Sequence, residues 1–191
     1  MLFFVQIMVK GGYPMPNPFE LMKDFFEPFI DGEKMPLNVG EVMNLWFYLK
    51  GSEETLRNEQ VAFNIVEDEE LRKLFEDVIN NVHKPIIDEI KDFLTKESVP
   101  LPDVTPAIPM GDFRSIPLGA KLSDEALCNL LEYNIVLGIN YAVRGLTESV
   151  RADVGLLFSK CQMRKVAFSV SLKQFSIKRG WIKIPPYYKA F

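Results

Sequence analysis

Apolar side chains recur at alternating three- and four-residue steps over four long stretches of this chain. That spacing places them on one face of an α-helix. It predicts helices over 38–67, 69–96, 123–150 and 152–179, which together exceed half of the 191 residues. The chain is therefore predicted to be all-α, without a sheet. The first stripe includes two polar residues and consists of Val39, Val42, Trp46, Leu49, Glu53, Leu56, Gln60 and Phe63.

Local signals mark the helix ends. Asn38 followed three residues later by Glu41 is typical of a capping box, and Ser123 is typical of an N-cap. Lys178 and Arg179 followed by Gly180 are typical of the C-terminal end of a helix. Pro85 falls inside the second pattern, which resumes in register after it, so we expect this proline to kink the helix rather than to end it.

The segments outside these helices predict the domain organisation. Residues 97–121 hold five prolines and little periodicity, which is typical of a long crossover along a bundle. A short helix is predicted over 18–29, and an extended aromatic tail over 181–191. Residues 1–13 are predicted to be a flexible arm, and residues 14–191 a single four-helix bundle domain.

Composition excludes several classes of protein. The net charge of −4 provides no basic surface for nucleic acid, so no nucleic-acid partner is predicted. One histidine and two cysteines exclude a zinc finger or a disulfide scaffold. Charges interrupt the apolar windows, so no membrane span is expected. Without a recognisable export signal, we expect a cytoplasmic protein.

Small residues on the last two helices have two interpretations each. Gly138 and Gly145 share one face about two turns apart; they either allow close approach of a neighbouring helix or only loosen their own. Cys128 and Cys161 lie at apolar positions and are predicted to be buried thiols, the alternative being a reactive cysteine.

Several motifs resemble one uncharacterised family. They are the stretch 37–49, the acidic block 67–71 leading to His83, the loop 96–102 and the exit 180–186. They resemble the domain of unknown function 3231, ferritin-like helical proteins of spore-forming bacteria, over about residues 14 to 188. The resemblance implies a ferritin-like four-helix bundle, distant similarity to spore-coat F-type proteins, and a forespore or spore association. It implies no activity.

The sequence lacks the usual di-iron motif. Ferritin-like di-iron centres use Glu-x-x-His pairs on two helices, because iron takes anionic oxygens and imidazoles from one inward face. The only histidine is His83, and Asn80 stands three residues before it. We therefore predict no metal site and no cofactor.

A polar layer is predicted in the middle of the bundle. Glu53, His83 and Lys165 lie on inward stripes, and Glu53 and His83 are equally far from a turn at Asp68. We expect Glu53 to accept a hydrogen bond or charge from one or both of the others. His83 is a core histidine, a metal ligand or a catalytic base, and Lys165 is expected to reach the surface along its aliphatic stem.

These features favour a non-catalytic structural or interaction module, with an unknown protein partner or self-association. The alternative is a ligand- or metal-binding protein that uses the polar layer. An aromatic lining would contribute to such a site: Trp46, Phe47, Tyr48, Phe63, Tyr133 and Tyr141. A hydrolase or transferase has no nucleophile–base pair to support it, so the sequence favours a non-enzymatic protein over an enzyme without deciding between them.

Overall fold

The structure is a computed structural model that describes residues 34–188. The predicted N-terminal arm and the helix predicted over 18–29 lie outside the described residues. Every regular element within the described residues is helical, which confirms the predicted all-α class. The elements are α1 (Val39–Ile65), α2 (Glu69–Asp77), a π-helical segment (Val78–His83), α3 (Lys84–Lys96), a short 3-10 turn (Leu118–Ala120), α4 (Asp124–Glu148) and α5 (Ala152–Arg179).

The crossover over 97–123 carries the chain back along the bundle. It runs beside α1, where Arg57 Nε donates to the Thr105 carbonyl at 2.8 Å. Then α4 begins beside the end of α1, where the Asp68 backbone N–H donates to the Asp124 carboxylate at 2.7 Å. The continuous helix α2–α3 and helix α4 are thus antiparallel to α1, and the predicted ferritin-like bundle with one long crossover is confirmed.

The core fills the space between the four long helices. Leu and Ile predominate among its side chains. The predicted stripe of α1 is only partly correct, because Val39 is 84% exposed whereas Leu45, outside that stripe, is fully buried. The largest fully buried side chains are Phe75, Phe158, Leu45, Leu49, Leu71, Ile79, Ile86, Ile90, Leu94, Leu131, Ile135 and Leu172.

One end of the bundle is held by a buried carboxylate. The Asn38 side chain accepts from the Glu41 N–H, and Glu41 Oε2 accepts from the Asn38 N–H, both at 3.0 Å, so the predicted capping box is confirmed. Glu41 Oε1 also accepts the backbone N–H groups of Val150 and Arg151 at 2.9 and 2.6 Å. The guanidinium of Arg151 in turn donates to both carboxylate oxygens of Glu97. This cluster joins the starts of α1 and α5 to the end of α3.

The distortion predicted at Pro85 takes the form of the π-helical segment just before it. The Lys84 N–H donates to the carbonyl of Ile79, five residues back. Proline has no N–H, and its ring crowds the carbonyl four residues before it, so a wider turn relieves that contact. The helix then continues as α3, as the pattern predicted. The wider turn ends at His83.

Close approach of α4 and α5 depends on two glycines. A Cβ atom at Gly138 would lie 2.8–2.9 Å from side-chain atoms of Lys165. One at Gly145 would lie 2.5–2.6 Å from the Phe158 ring. The structure therefore supports the first interpretation of these glycines, namely that they let the neighbouring helix come close.

Helix α4 presents an unusually apolar face to solvent. Within the described residues the stretch Leu118–Glu148 is long and apolar enough to cross a bilayer by length and composition, although only 28% of its most apolar window is buried. A single helix of this length and composition is weak evidence of a membrane span, so the stretch is a weakly apolar helix rather than a clear span. The expectation that charges interrupt every such window was too strict. Large exposed apolar residues on α4 are Leu130, Tyr133, Val136, Tyr141 and Val143.

Candidate functional site

Three buried polar side chains form a continuous chain across the bundle. His83 comes from the π-helical segment, Glu59 from α1 and Lys165 from α5. His83 Nδ1 lies 2.5 Å from Glu59 Oε2, and Lys165 Nζ lies 2.5 Å from His83 Nε2. An ammonium can only donate, so Nε2 accepts from Lys165 and the Nδ1–H donates to Glu59. The contacts thus fix one tautomer of the imidazole.

Burial shifts the pKa values of both basic groups. The His83 ring is fully buried, and burial lowers its pKa; the Lys165 charge lowers it further, while Glu59 opposes the shift. Burial likewise lowers the pKa of Lys165 to about 8, and the neighbouring Glu59 and Cys161 oppose this change. Near neutral pH the imidazole is therefore neutral, and the lysine loses its proton far more easily than a lysine in water.

Glu53 does not join this chain. One of its oxygens accepts from Arg57 Nη2 at 2.8 Å, and the other forms an ion pair with Lys91. The acidic partner of His83 is Glu59 instead. The structure thus brings together two of the three predicted residues, His83 and Lys165, and places Glu53 in a separate ion-pair cluster.

The difference has a physical cause in the first helical hairpin. In an antiparallel hairpin, the mean of the numbers of two facing residues gives the centre of the turn. This mean is 71 for Glu59 and His83 and 72 for Glu53 and Lys91, so the centre is not at Asp68. Residues 66–68 are extended and carry the chain beyond the end of α1, so the first turns of α2 project past it. The predicted register assumed a tight turn at Asp68. A signal for Glu59 was present in its spacing from Leu56, three residues before it on the same face.

The prediction that Lys165 reaches the surface is wrong. The residue is only 2% exposed, because its stem lies against the bare backbone of Gly138, where any Cβ would collide with it. Its ammonium lies 5.9 Å from the centroid of the Tyr48 ring. The glycine, the imidazole and this ring together hold the side chain inside the bundle.

A cavity of about 440 Å³ opens between α1 and α4, next to this lysine. Tyr48 and Gly138 line it close to Lys165, and the exposed side chains of Phe47 and Tyr141 stand at its rim. The Tyr48 hydroxyl is buried and has no hydrogen-bond partner among residues 34–188. The cavity therefore combines apolar walls with two buried polar groups, the arrangement expected of a small-molecule site.

The predicted aromatic lining divides into two groups. Phe47, Tyr48 and Tyr141 line the cavity, whereas Trp46, Phe63 and Tyr133 do not. The Phe63 ring lies under the Arg72 guanidinium instead, at 4.2 Å.

The polar chain does not fit the di-iron centre that a ferritin-like fold suggests. No group of three or more His, Cys, Asp and Glu side chains in the described part of the chain is arranged to hold a metal ion. The Nε2 lone pair of His83, which a metal would need, is bonded to Lys165. An ammonium at this position repels a cation.

The two cysteines are buried and unpaired. Burial raises the pKa of Cys128 to about 11 and that of Cys161 to about 12. Such thiols contain almost no thiolate at neutral pH, which agrees with the prediction of buried thiols and disfavours a reactive cysteine.

Solved structures with the same architecture were found in several bacteria. A protein of Bacillus halodurans C-125 described as a "putative spore coat protein" is 26% identical, with a TM-score of 0.77 over 82% of this chain and 98% of that one. A two-domain protein of Anabaena variabilis, with DJ-1/ThiJ/PfpI-like and ferritin-like domains, is 14% identical. Its TM-score is 0.59 over 88% of this chain and 52% of that one, which shows a shared fold only.

Sequence comparison gives the family. An "uncharacterized protein YvdQ" of Bacillus subtilis (strain 168) is 27% identical over 151 residues, which cover 79% of this chain and 88% of that protein. The sequence model of the family described as "Protein of unknown function (DUF3231)" matches residues 28–190. Because this match spans the whole bundle, the chain belongs to the DUF3231 family.

Proposed function

We propose that this chain is a non-catalytic interaction module that associates with the bacterial spore. The observation that carries the proposal is the similarity to the Bacillus halodurans protein described as a "putative spore coat protein", at 26% identity and a TM-score of 0.77. On this proposal the chain is made in the cytoplasm of a sporulating cell and becomes part of a spore layer.

The exposed apolar face of α4 supports an interaction role. Tyr133 and Val136 are 62% and 55% exposed, one turn apart on this helix. Exposed apolar surface of this kind is typical of protein–protein contact sites. We propose that another protein, or a second copy of this chain, covers this face in the assembled layer.

Fractionation of spores tests the proposal. A tagged chain is expressed in a sporulating Bacillus, and purified spores are separated into coat and core fractions. We expect the chain in the coat fraction, and we expect the double variant Tyr133→Ser, Val136→Ser to be lost from it. The matched control replaces two exposed apolar residues of α5, Met163 and Val170, with serine and should remain in the coat. Recovery of the unaltered chain only in soluble cytoplasm would contradict the proposal.

The cavity supports a second candidate function, the binding of a small apolar molecule that carries one polar group. The observation is that Lys165 and the unpaired Tyr48 hydroxyl both line the space of about 440 Å³ between α1 and α4. The side chains of Leu137, Phe47 and Tyr141 would contact the apolar part of the ligand. The Lys165 amine and the Tyr48 hydroxyl would bind its polar group and so fix its orientation.

Native mass spectrometry with elemental analysis, followed by a thermal-shift screen of small aromatic alcohols and carbonyls, tests this second function. A ligand of the folded state should raise the melting temperature in a concentration-dependent manner. The variant Leu137→Trp, which fills the cavity from its wall, should keep the helical circular dichroism spectrum and lose the ligand-dependent shift. Equal shifts in both proteins would show that the ligand binds elsewhere.

A further inference from the structure

We propose that Lys165 forms a reversible imine with an aldehyde or ketone held in the cavity between α1 and α4. This inference rests on the second candidate function, ligand binding by that cavity, and names its ligand class.

Geometry is the first argument. The Lys165 amine lies beside Gly138 and Tyr48, two residues that line the cavity, and it is buried against His83 rather than paired with a carboxylate. Gly138 is the position where a side chain would remove the space that the lysine occupies. An amine nucleophile with an adjacent base, at the wall of an apolar cavity, is the arrangement that imine formation needs.

The second argument is the protonation state. Attack on a carbonyl requires the neutral amine, and an exposed lysine has about 0.04% of it at pH 7. With its pKa lowered to about 8 by burial, Lys165 has a much larger neutral fraction at the same pH. The groups that face it are His83 from the π-helical segment, Glu59 and Tyr48 from α1, and Cys161 from α5.

The reaction balances without an added oxidant or reductant. The ammonium passes one proton to His83 Nε2, and the neutral amine attacks the carbonyl carbon as the C=O π electrons move to oxygen. That oxygen leaves as water with the two remaining amine protons. The proton on His83 returns to nitrogen, so one ammonium and one carbonyl give one iminium and one water.

Two other residues have roles that follow from their contacts. Glu59 accepts the Nδ1–H and so keeps Nε2 free to receive the lysine proton, which makes it a positioning residue. The unpaired Tyr48 hydroxyl can donate to the carbonyl oxygen as negative charge develops on it.

Reductive trapping with benzaldehyde as the probe tests the proposal. The full chain is incubated with benzaldehyde and sodium cyanoborohydride at pH 7.5, and peptide mapping measures the benzylated amine at each site. We expect modification of Lys165 at least about tenfold faster than that of Lys160, an exposed lysine on the same helix. The rate at Lys165 should saturate with benzaldehyde concentration because the probe binds before it reacts.

Lys160 is the internal reference. It is exposed on α5 and does not line the cavity, so its rate should rise linearly with benzaldehyde. Benzyl alcohol, which has the same ring and no carbonyl, should inhibit the reaction at Lys165 and leave the reaction at Lys160 unaffected. Glu59→Gln removes a charge that raises the lysine pKa, so it should shift the pH profile at Lys165 to lower pH, which a merely structural role would not do.

The outcomes separate the two proposals. If benzyl alcohol raises the melting temperature of the chain and of Lys165→Met, but Lys165 in the unaltered chain is not trapped faster than Lys160, the cavity binds ligands and the imine proposal is wrong. If neither compound binds and Lys165 is not trapped, both proposals are wrong. Saturable trapping at Lys165 that benzyl alcohol inhibits supports both.

Discussion

At the scale of single residues, the unusual feature is a lysine whose buried ammonium is bonded to an imidazole. A carboxylate beside an ammonium compensates its charge, whereas the neutral ring of His83 supplies only a lone pair. The carboxylate of Glu59 acts from the far side of that ring. The positive charge is therefore only partly compensated, which is why burial dominates and the pKa of Lys165 is lowered.

This arrangement predicts how stability depends on pH. The folded pKa of Lys165 is about 8 and the unfolded value is near 10.5, so the unfolded state binds more protons between these values and stability rises with pH there. Lys165→Met removes the group. The unaltered chain gains stability over this pH range and the variant does not. The unfolding free energy of Lys165→Met minus that of the unaltered chain should therefore fall by about 2–3 kcal/mol from pH 7 to pH 10.

Guanidinium titrations of both proteins at pH 7, 8, 9 and 10 measure this difference. Comparing the two proteins cancels the ionisation of tyrosine and cysteine thiols, which changes stability in the opposite direction at high pH. Lys160→Met, on an exposed site of the same helix, is the control and should show no such trend. A pH-independent difference for Lys165→Met would mean that the lysine has an ordinary pKa.

The candidate site could be predicted in part. His83 and Lys165 were identifiable because each is a polar residue on an otherwise apolar helical stripe, and stripes are a local property of sequence. Glu59 was missed, and Glu53 was chosen, because that choice required the register between helices. Register depends on the three non-helical residues 66–68 and on the π-helical segment, because both change the rise of the chain along the bundle.

At the scale of elements, Glu41 shows how one side chain can cap the N-termini of two helices. Its capping box with Asn38 was predictable because the two residues are three positions apart. Its bonds to the N–H groups of Val150 and Arg151 were not, since they join positions 109 and 110 residues apart. The carboxylate thus satisfies donors at the start of α5, where Arg151 itself provides no side-chain cap.

Removing this carboxylate should therefore cost more than removing an ordinary cap. We expect Glu41→Ala to lower the unfolding free energy by about 2–4 kcal/mol, because it leaves three buried or half-buried N–H groups unsatisfied. Asn38→Ala and Ser123→Ala each remove one cap bond and should cost about 1 kcal/mol. Urea denaturation of the three variants measures the order. Equal losses would show that the bonds to the start of α5 contribute little.

The glycines of the long helices provide a second comparison between elements. A methyl group added at Gly51 on α1 would meet nothing within 4 Å beyond the backbone of its own helix and its chain neighbours, so Gly51→Ala should raise the unfolding free energy by about 0.5–1 kcal/mol through helix propensity. Gly145→Ala should lower it by about 1–3 kcal/mol, since its methyl group would meet the buried Phe158 ring at 2.5–2.6 Å. Chemical denaturation gives both values. A stabilised Gly145→Ala would mean that α4 and α5 can separate at no cost.

At the scale of the whole molecule, the four-helix plan was predictable because it needs only helix lengths and one long connection. The periodic stretches gave the helix bounds to within two residues at each described end. The proline-rich segment over 97–121 was too long for a hairpin, which indicated the crossover. The exposed apolar face of α4 was not predictable, because its residues are as apolar as those of the core and only the packed structure shows which side is covered.

The two thiols report on how cooperatively this bundle opens. Cys128 on α4 and Cys161 on α5 are both almost fully buried, and burial raises their pKa values to about 11 and about 12. Neither can react with a thiol reagent while its helix stays packed, because the reagent needs an accessible thiolate. We therefore expect no labelling of the native chain at pH 8 and two labelled thiols per chain after denaturation.

The labelling rate at increasing guanidinium concentration distinguishes local from global opening. If the bundle unfolds as one unit, both cysteines should be labelled with the same denaturant dependence, equal to that of global unfolding. Peptide mapping after short labelling pulses resolves the two sites, and Cys128→Ala and Cys161→Ala variants confirm each assignment. Faster labelling of Cys128, with a weaker denaturant dependence, would contradict a single cooperative unit. It would show that α4, the helix with the largest exposed apolar face, detaches before the rest of the bundle unfolds.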